Sequence, residues 1–390
     1  MTFTHQHINN LKYNIMKFTL SSTTLSTKLG ILSKVIMAKN AMPILEGFLF
    51  EVSDGQLVIT ASDNENVMKS TCQLSESDGN GRFVVSSHTI LDAVRELPDQ
   101  PLTFEVDLLD YTVKVYYQNG TYNFTVQNAE EYPQTQALPS DVTTINFEAG
   151  VLQANITRTI FATTTQEELR PVMNGIYFDI TPDYTAIVAS DGSKLVRNRC
   201  FAVRNERAAS FILPKKPASL LKTVLTKDGG DVVIKFNDRN AMISFADGVL
   251  ICRLIEGRYP NYNSVIPKDN PNHIRIDRRV LVSALRRVLP FASESSLLVK
   301  FKVEQGQIVL SSEDIDFSTS AKEALVCEYD GVPMAIGFKG PALLEILNNL
   351  DSDEVVIELA DPSRAGVVVP AQQPDQEEVL MLIMPMLLND

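Results

Sequence analysis

Apolar and polar positions alternate along most of this chain in short strand-like runs, interrupted by a few windows of helical spacing. Lys17-Phe18-Thr19-Leu20 opens the series as a strand. Leu25, Leu29, Leu32 and Ile36 then recur at helical spacing, with Ser22 or Thr23 placed to cap that helix. Phe48, Phe50 and Val52 define a strand that turns at Ser53-Asp54-Gly55, and Leu57-Val58-Ile59-Thr60 returns. Val67 to Cys72 reads as a further strand, and Thr89 to Leu97 as a second helix with Ile90, Leu91, Val94 and Leu97 apolar. Three more strands follow, the last two joined at Asn119-Gly120, a strong hairpin signal.

This order of elements then recurs. Gly175-Ile176-Tyr177-Phe178-Asp179-Ile180 matches Gly47-Phe48-Leu49-Phe50-Glu51-Val52, 128 residues earlier, and Ala189-Ser190-Asp191 matches Ala61-Ser62-Asp63 at the same offset, as does Asp247-Gly248 with Asn119-Gly120. Helices are predicted at Val151 to Ala162 and Ala218 to Leu225 in the second copy, and at Arg278 to Leu289 and Pro341 to Leu350 in the third, where Gln305-Gly306 turns a hairpin. Three strand-like runs close on related residues: Glu130-Glu131-Tyr132-Pro133, Glu256-Gly257-Arg258-Tyr259-Pro260-Asn261-Tyr262, and Met384-Pro385-Met386. The expectation is an α+β chain of three tandem copies, each about eight short antiparallel strands and two helices. The expected boundaries are a leader at 1–15 and copies at 16–140, 141–268 and 269–390, with Pro-containing linkers at Gln134 to Val142 and Asn263 to Asn272. The leader lacks the apolar segment of a signal peptide and reads as disordered, with Met16 a candidate translational start.

Composition narrows the class. A chain of 390 residues with 44% hydrophobic residues is ordinary for a globular protein of several domains, and no apolar run approaches a transmembrane length. Cys72, Cys200, Cys252 and Cys327 are too dispersed for a disulfide framework or a paired-cysteine metal site, which points to a reducing compartment. His5, His7, His88 and His273 show no metal-ligand spacing, so neither a metal nor another cofactor is expected. The net charge of −13 argues by itself against a polyanionic partner. Its distribution argues the other way: the helical windows 25–39, 86–97, 151–163, 215–227, 278–289 and 339–350 are together net positive, through Lys28, Lys34, Lys39, Arg158, Lys215, Lys216, Lys222, Lys227 and the Arg278, Arg279, Arg286, Arg287 set. Cations gathered on helices without base-reading or stacking residues suit sequence-independent contact with a duplex, whereas solvated helix faces would explain any one helix alone.

Three such copies, with Ala189-Ser190-Asp191-Gly192-Ser193-Lys194-Leu195, the Glu256 to Tyr262 loop and terminal Met384-Pro385-Met386, resemble the bacterial DNA sliding clamps, beta subunits of DNA polymerase III, over residues 16 to about 388. The resemblance implies a cytoplasmic, non-catalytic ring of two head-to-tail subunits around duplex DNA, with helices lining the hole. It implies partners in the polymerase III alpha subunit, the clamp loader, and other polymerases and repair proteins, and no membrane partner. It implies a peptide pocket at Met173, Ser190, Gly192, Ser193, Lys194, Leu195, Pro260, Ser264, Val265, Tyr329, Leu382, Ile383, Met384, Pro385 and Met386. DNA contacts are implied at Lys39, His88, Arg170, Lys215 and Lys216, and a subunit interface at Ala93, Leu97, Phe124, Val126, Pro290 and Phe291. The chain departs from the family at Ser193-Lys194, often His-Arg, at Ser264, often Arg, at Pro171 and Val172, often aromatic, and in Asn389-Asp390 beyond the usual end. Two other readings compete: a hydrolase using Asp63 or Asp191, for which no nucleophile elbow or phosphate loop is present, and a tandem scaffold without a DNA role.

Overall fold

The computed structural model describes residues 15–134, 138–139, 141–164, 170–246 and 248–388. Residues 1–14 of the expected leader, part of the first linker, Asp247 and Asn389-Asp390 lie outside the described residues, whereas Ile15, expected in the leader, opens the first strand, Ile15–Ser21. Each copy contributes two helices. The first has α1 (Ser22–Leu32) and α2 (Ser87–Arg95), the second α3 (Ala149–Ile160) and α4 (Lys215–Val224), the third α5 (Arg278–Val288) and α6 (Gly340–Asn348). The described strands pair antiparallel in four sheets.

Local chemistry sets these boundaries. The cap of α1 is Ser21 rather than Ser22 or Thr23: its side chain accepts from the Thr24 N–H at 3.3 Å, while the Ser22 hydroxyl donates to the Pro98 carbonyl. Leu25, Leu29 and Leu32 are fully buried on one face of α1, but the helix stops there, so Ile36, Lys34 and Lys39 belong to the following loop. Lys227 likewise lies beyond α4. Asp277 caps α5 by accepting from Val280 N–H at 2.9 Å. The hairpin at Ser53 turns through Asp54 (φ 51°) and Gly55 (φ 74°), two successive left-handed residues that match the twist of a two-residue hairpin.

Two compact units result, and compactness follows the sheets rather than the copies. One unit holds the described residues of 15–150 and 223–253, the other those of 151–222 and 254–388. In the first, a nine-stranded sheet runs across two copies because Asn66–Gln73 pairs with Gly248–Arg253, Asn66 opposite Cys252. A five-stranded sheet completes that unit and ends in an edge strand, Gly120–Thr125, paired on one side only, with Thr112–Tyr117. In the second unit an eight-stranded sheet is continuous because Lys194–Cys200 pairs with Glu377–Ile383, Lys194 opposite Ile383. Its four-stranded sheet likewise leaves an edge, Thr319–Val326, paired only with Gln307–Asp314. The strand that closes one copy thus completes the sheet of the copy before it. This is what carries the chain's last residues to the turn at Gly192.

Candidate functional site

The turn after Ala189 is built by its own side chains. Asp191 Oδ1 accepts from the N–H groups of Ser193 (2.8 Å) and Lys194 (2.9 Å), and Ser190 Oγ accepts from Gly192 N–H at 3.1 Å. Gly192 has φ 93°, a left-handed conformation that a side chain would strain. The first copy repeats the device: Asp63 Oδ1 accepts from Glu65 and Asn66 N–H, and Ser62 Oγ from Asn64 N–H. Both recurring aspartates are therefore spent on turns, which removes the residues on which a hydrolase reading rested.

Asp191 also holds Lys194, whose Nζ lies 2.7 Å from Asp191 Oδ2 and 3.1 Å from Glu345 Oε2 on α6. Burial raises the Asp191 pKa, but the hydrogen bonds from Lys194 and Ser193 outweigh it and leave the carboxyl below its ordinary range. Burial also opposes the Lys194 charge, and its bonds to Asp191 and Glu345 hold the pKa above that of ordinary lysine. A carboxyl with a depressed folded pKa stabilises the fold above about pH 4, and that contribution is lost as pH falls through the folded value. Asp191→Ala is accordingly expected to lower stability by about 1–3 kcal/mol at neutral pH, with the gap from the parent chain closing in acid. Melting curves of both chains across pH measure it.

Beside this turn lies a groove of roughly 580 Å³ within the second unit. Met173, Ser190, Gly192, Lys194, Leu195, Pro260, Val265, Leu382 and Met384, expected together from the sequence, all line it. The remaining six expected residues sit differently. The Ser193 carbonyl accepts from Met384 N–H at 2.8 Å, so it anchors the tail from outside the groove. Ser264 is exposed and turns its hydroxyl back to the Asn261 carbonyl. Ile383 points to the opposite face of its strand, into the main core of the unit. Pro385 and Met386 run onward, where Met386 N–H reaches the Gly337 carbonyl at 2.8 Å. Tyr329 is buried elsewhere, its hydroxyl donating to the Val332 carbonyl at 2.5 Å.

The loop at Tyr259-Pro260 was expected beside the Gly192 turn and the Met384 tail, but the expected pocket set lacked five lining residues: Pro171, Val172, Tyr259, Asn261 and Tyr262. Tyr259 stacks on Tyr177 with centroids 4.7 Å apart, and Tyr262 meets the same ring edge-on at 6.2 Å while donating to Asp179 Oδ2 at 2.7 Å. Burial pushes both phenols well above the ordinary tyrosine range, so they stay protonated at neutral pH. The spacing Tyr259-x-x-Tyr262 was the available signal, since two rings three apart in a short loop need a surface to lie on. Arg170, expected at DNA, lies at the rim of this groove.

The other expected residues are placed as follows. Lys39 is exposed, Lys215 and Lys216 are half-buried at the start of α4, and His88 is exposed beside Asp92 at 3.3 Å. Ala93 and Leu97 are half-buried at the end of α2, Phe124 is half-buried on the open edge strand, and Pro290 and Phe291 are exposed after α5. Val126 is only 6% exposed and turns inward, so its side chain is not on that edge. The positive helices are also less cationic than their sequence suggests. Arg158 pairs with Glu377 at 2.6 Å, Arg279 with Asp353 at 3.3 Å and Arg287 with Glu323, and Arg278 donates to the Ser352 and Leu347 carbonyls.

The fold is thus a thrice-repeated α+β domain, with an apolar groove beside the Gly192 turn and its recurrent carboxylates held in turns. Comparison with known proteins makes this specific. The family models for the N-terminal, central and C-terminal domains of the DNA polymerase III beta subunit match residues 16–136, 146–261 and 263–386 in turn. The beta sliding clamp of Caulobacter vibrioides is 28% identical, and that of Pseudomonas putida 25% identical, each over 94% of this chain and 99% of the relative. The solved beta subunit of Thermotoga maritima superposes with a TM-score of 0.87 at 27% identity, covering 96% of this chain and all of that one. A Pseudomonas aeruginosa sliding clamp bound to griselimycin shares the fold with a TM-score of 0.90 at 23% identity, at 96% and 100% coverage. The chain belongs to the family of DNA polymerase III beta subunits, the beta sliding clamps, which are non-catalytic processivity factors of DNA replication.

Proposed function

We propose that this chain forms a homodimeric ring around duplex DNA, tethers the replicative polymerase through its alpha subunit, and docks the clamp loader and other polymerases and repair proteins in the groove beside Gly192. It would do so in the cytoplasm, the compartment suggested by its family; no helix among the described residues is long and apolar enough to cross a membrane. What supports the ring is a pair of sheet edges, Gly120–Thr125 in one compact unit and Thr319–Val326 in the other, each paired on one side only. Two different edges on one chain are what a head-to-tail pair of copies needs, because each interface then joins one of each.

The groove suits linear peptides with Leu and Phe anchors. Met384, Met173, Leu195, Val265 and Leu382 give an adaptable apolar surface, and the Tyr259–Tyr177 stack a rigid wall. A few anchors contribute roughly 1.5–3 kcal/mol each before ordering costs, which places affinity near micromolar and lets partners exchange.

Contact with DNA rests on Lys39, Lys215 and Lys216, with His88 a further contributor. Changing the three lysines to Glu is expected to slow loading and flatten the salt dependence of DNA association. Retention on a closed circle should persist, since it is topological. The test compares loaded protein on nicked circular and linear DNA during sedimentation. Equal retention on both forms would rule out the ring.

A further inference from the structure

We propose that a cavity in the first compact unit binds a small alkylguanidinium, the group that the third copy supplies at the matching place from its own chain. The cavity holds roughly 110 Å³, about the size that takes up a small organic molecule. Ile31, Met68, Leu225 and Phe245 give it apolar walls, and Ala149, Val224 and Gly229 line it where α3 begins and α4 ends. Thr226 is exposed, and Lys28 and Ile31 are half-buried, so it is reached from solvent.

The repeat shows which group fits. In each copy the first residue of the first helix donates its N–H to the loop after the second helix. Ser22 donates to the Gln100 carbonyl at 2.9 Å, Ala149 to that of Gly230 at 2.8 Å, and Arg278 to that of Asp353 at 2.8 Å. In two copies the side chain of that residue takes further carbonyls. The Ser22 hydroxyl donates to Pro98 O at 2.8 Å. Arg278 donates from Nε to Ser352 O at 2.6 Å and from Nη1 to Leu347 O at 3.1 Å. Ala149 has only a methyl group. Val224 and Gly229 stand at the same positions before Gly230 as Leu347 and Ser352 do before Asp353, and both line the cavity. The space that an arginine side chain takes in the third copy is thus open in the second. Val224 closes α4, so its carbonyl lacks an intrahelical partner and lies at the negative end of the helix dipole, which favours a cation. The matching ligand has a short alkyl stem for the walls and a planar set of donors with no acceptor. Lys28 opposes a second cation by its charge, which holds the affinity of so small a molecule near millimolar.

Ethylguanidinium, which reproduces an arginine side chain beyond Cβ, is the probe, and neutral ethylurea its control. Titrations of the full chain are followed through the methyl NMR resonance of Met68, which is 1% exposed in the cavity wall. Ethylguanidinium is expected to shift that resonance and to bind about fivefold more tightly than ethylurea. Ala149→Arg supplies the group from the chain, and Ala149→Leu fills the space without it, so each should abolish the shift. Lys28→Met removes the like charge and should tighten binding about threefold. Four results overturn the proposal: no shift in the parent chain, equal affinity for the two probes, a shift that persists in either folded Ala149 variant, or binding to Lys28→Met no tighter than to the parent. Circular dichroism establishes that each variant is folded, and if Ala149→Arg is not, Ala149→Leu carries that arm.

Discussion

A chain ending at Ile383 is expected to fold, dimerise and lose more than about 100-fold of its affinity for an anchored peptide. The tail residue Met384 lines the groove, and its N–H donates to the Ser193 carbonyl at 2.8 Å, tying it to the turn that forms the opposite lip. Removing it opens the groove on one side and takes away the adaptable thioether against which a Leu or Phe would pack. Met386, also lost, bridges to Gly337, whose close approach leaves no room for a Cβ: Met386 O and Leu388 Cδ2 would each lie 2.9 Å from it. That edge would fray, but the strand Glu377–Ile383 keeps its pairing with Lys194–Cys200 and with Gly366–Pro370. The loss should therefore be local. Circular dichroism and sedimentation report the fold and the dimer, and anisotropy reports the peptide. Undiminished peptide binding by the truncated chain would show that the groove is not the docking site, whatever the fate of the ring.

How far the sequence revealed this site depended on which physical signal each residue carries. Repetition was legible because each copy must bury the same faces, so Gly175-Ile176-Tyr177-Phe178 could be laid on Gly47-Phe48-Leu49-Phe50. The turn Ser190–Lys194 was legible for the same reason. The strand exchange that brings Met384 to Ser193 was only implied by the echo of closing strands, since pairing partners are not encoded locally. The loop bearing Tyr259 and Tyr262 was legible as a recurring segment beside the groove, but the two rings were left out of the expected lining because an aromatic in a loop reads equally as core packing. The charge of the helices was overread, since sequence cannot tell that Arg158 is spent on Glu377 or Arg287 on Glu323. Helix ends shifted by a few residues where a cap lay one position away, as Ser21 did for α1.

Val326→Asp and Phe291→Asp are each expected to yield monomers, with dimer affinity weakened by about 100-fold or more. Natural edge strands are blunted by lysine, proline or a bulge so that they do not pair with other chains. Gly120–Thr125 has none of these and no charge at all. Thr319–Val326 carries Lys322 and Glu323, but Glu323 is held by Arg287, and the strand ends in Val326, 87% exposed. Ile315 and Phe317 in the adjoining hairpin are 83% and 77% exposed, and Phe291 nearby is 39% exposed. Apolar side chains so bare, next to an unpaired row of main-chain donors and acceptors, fit a surface covered in the working assembly. A carboxylate there would be buried without a partner on association, yet it costs the separate chain little because Val326 is already in water. Both variants should therefore keep the parental circular dichroism and melting behaviour at low concentration while sedimenting as monomers. They should also fall off closed circular DNA, which the lysine variants should not. A Val326→Asp chain that remains dimeric at nanomolar concentration would place the subunit interface on some other surface.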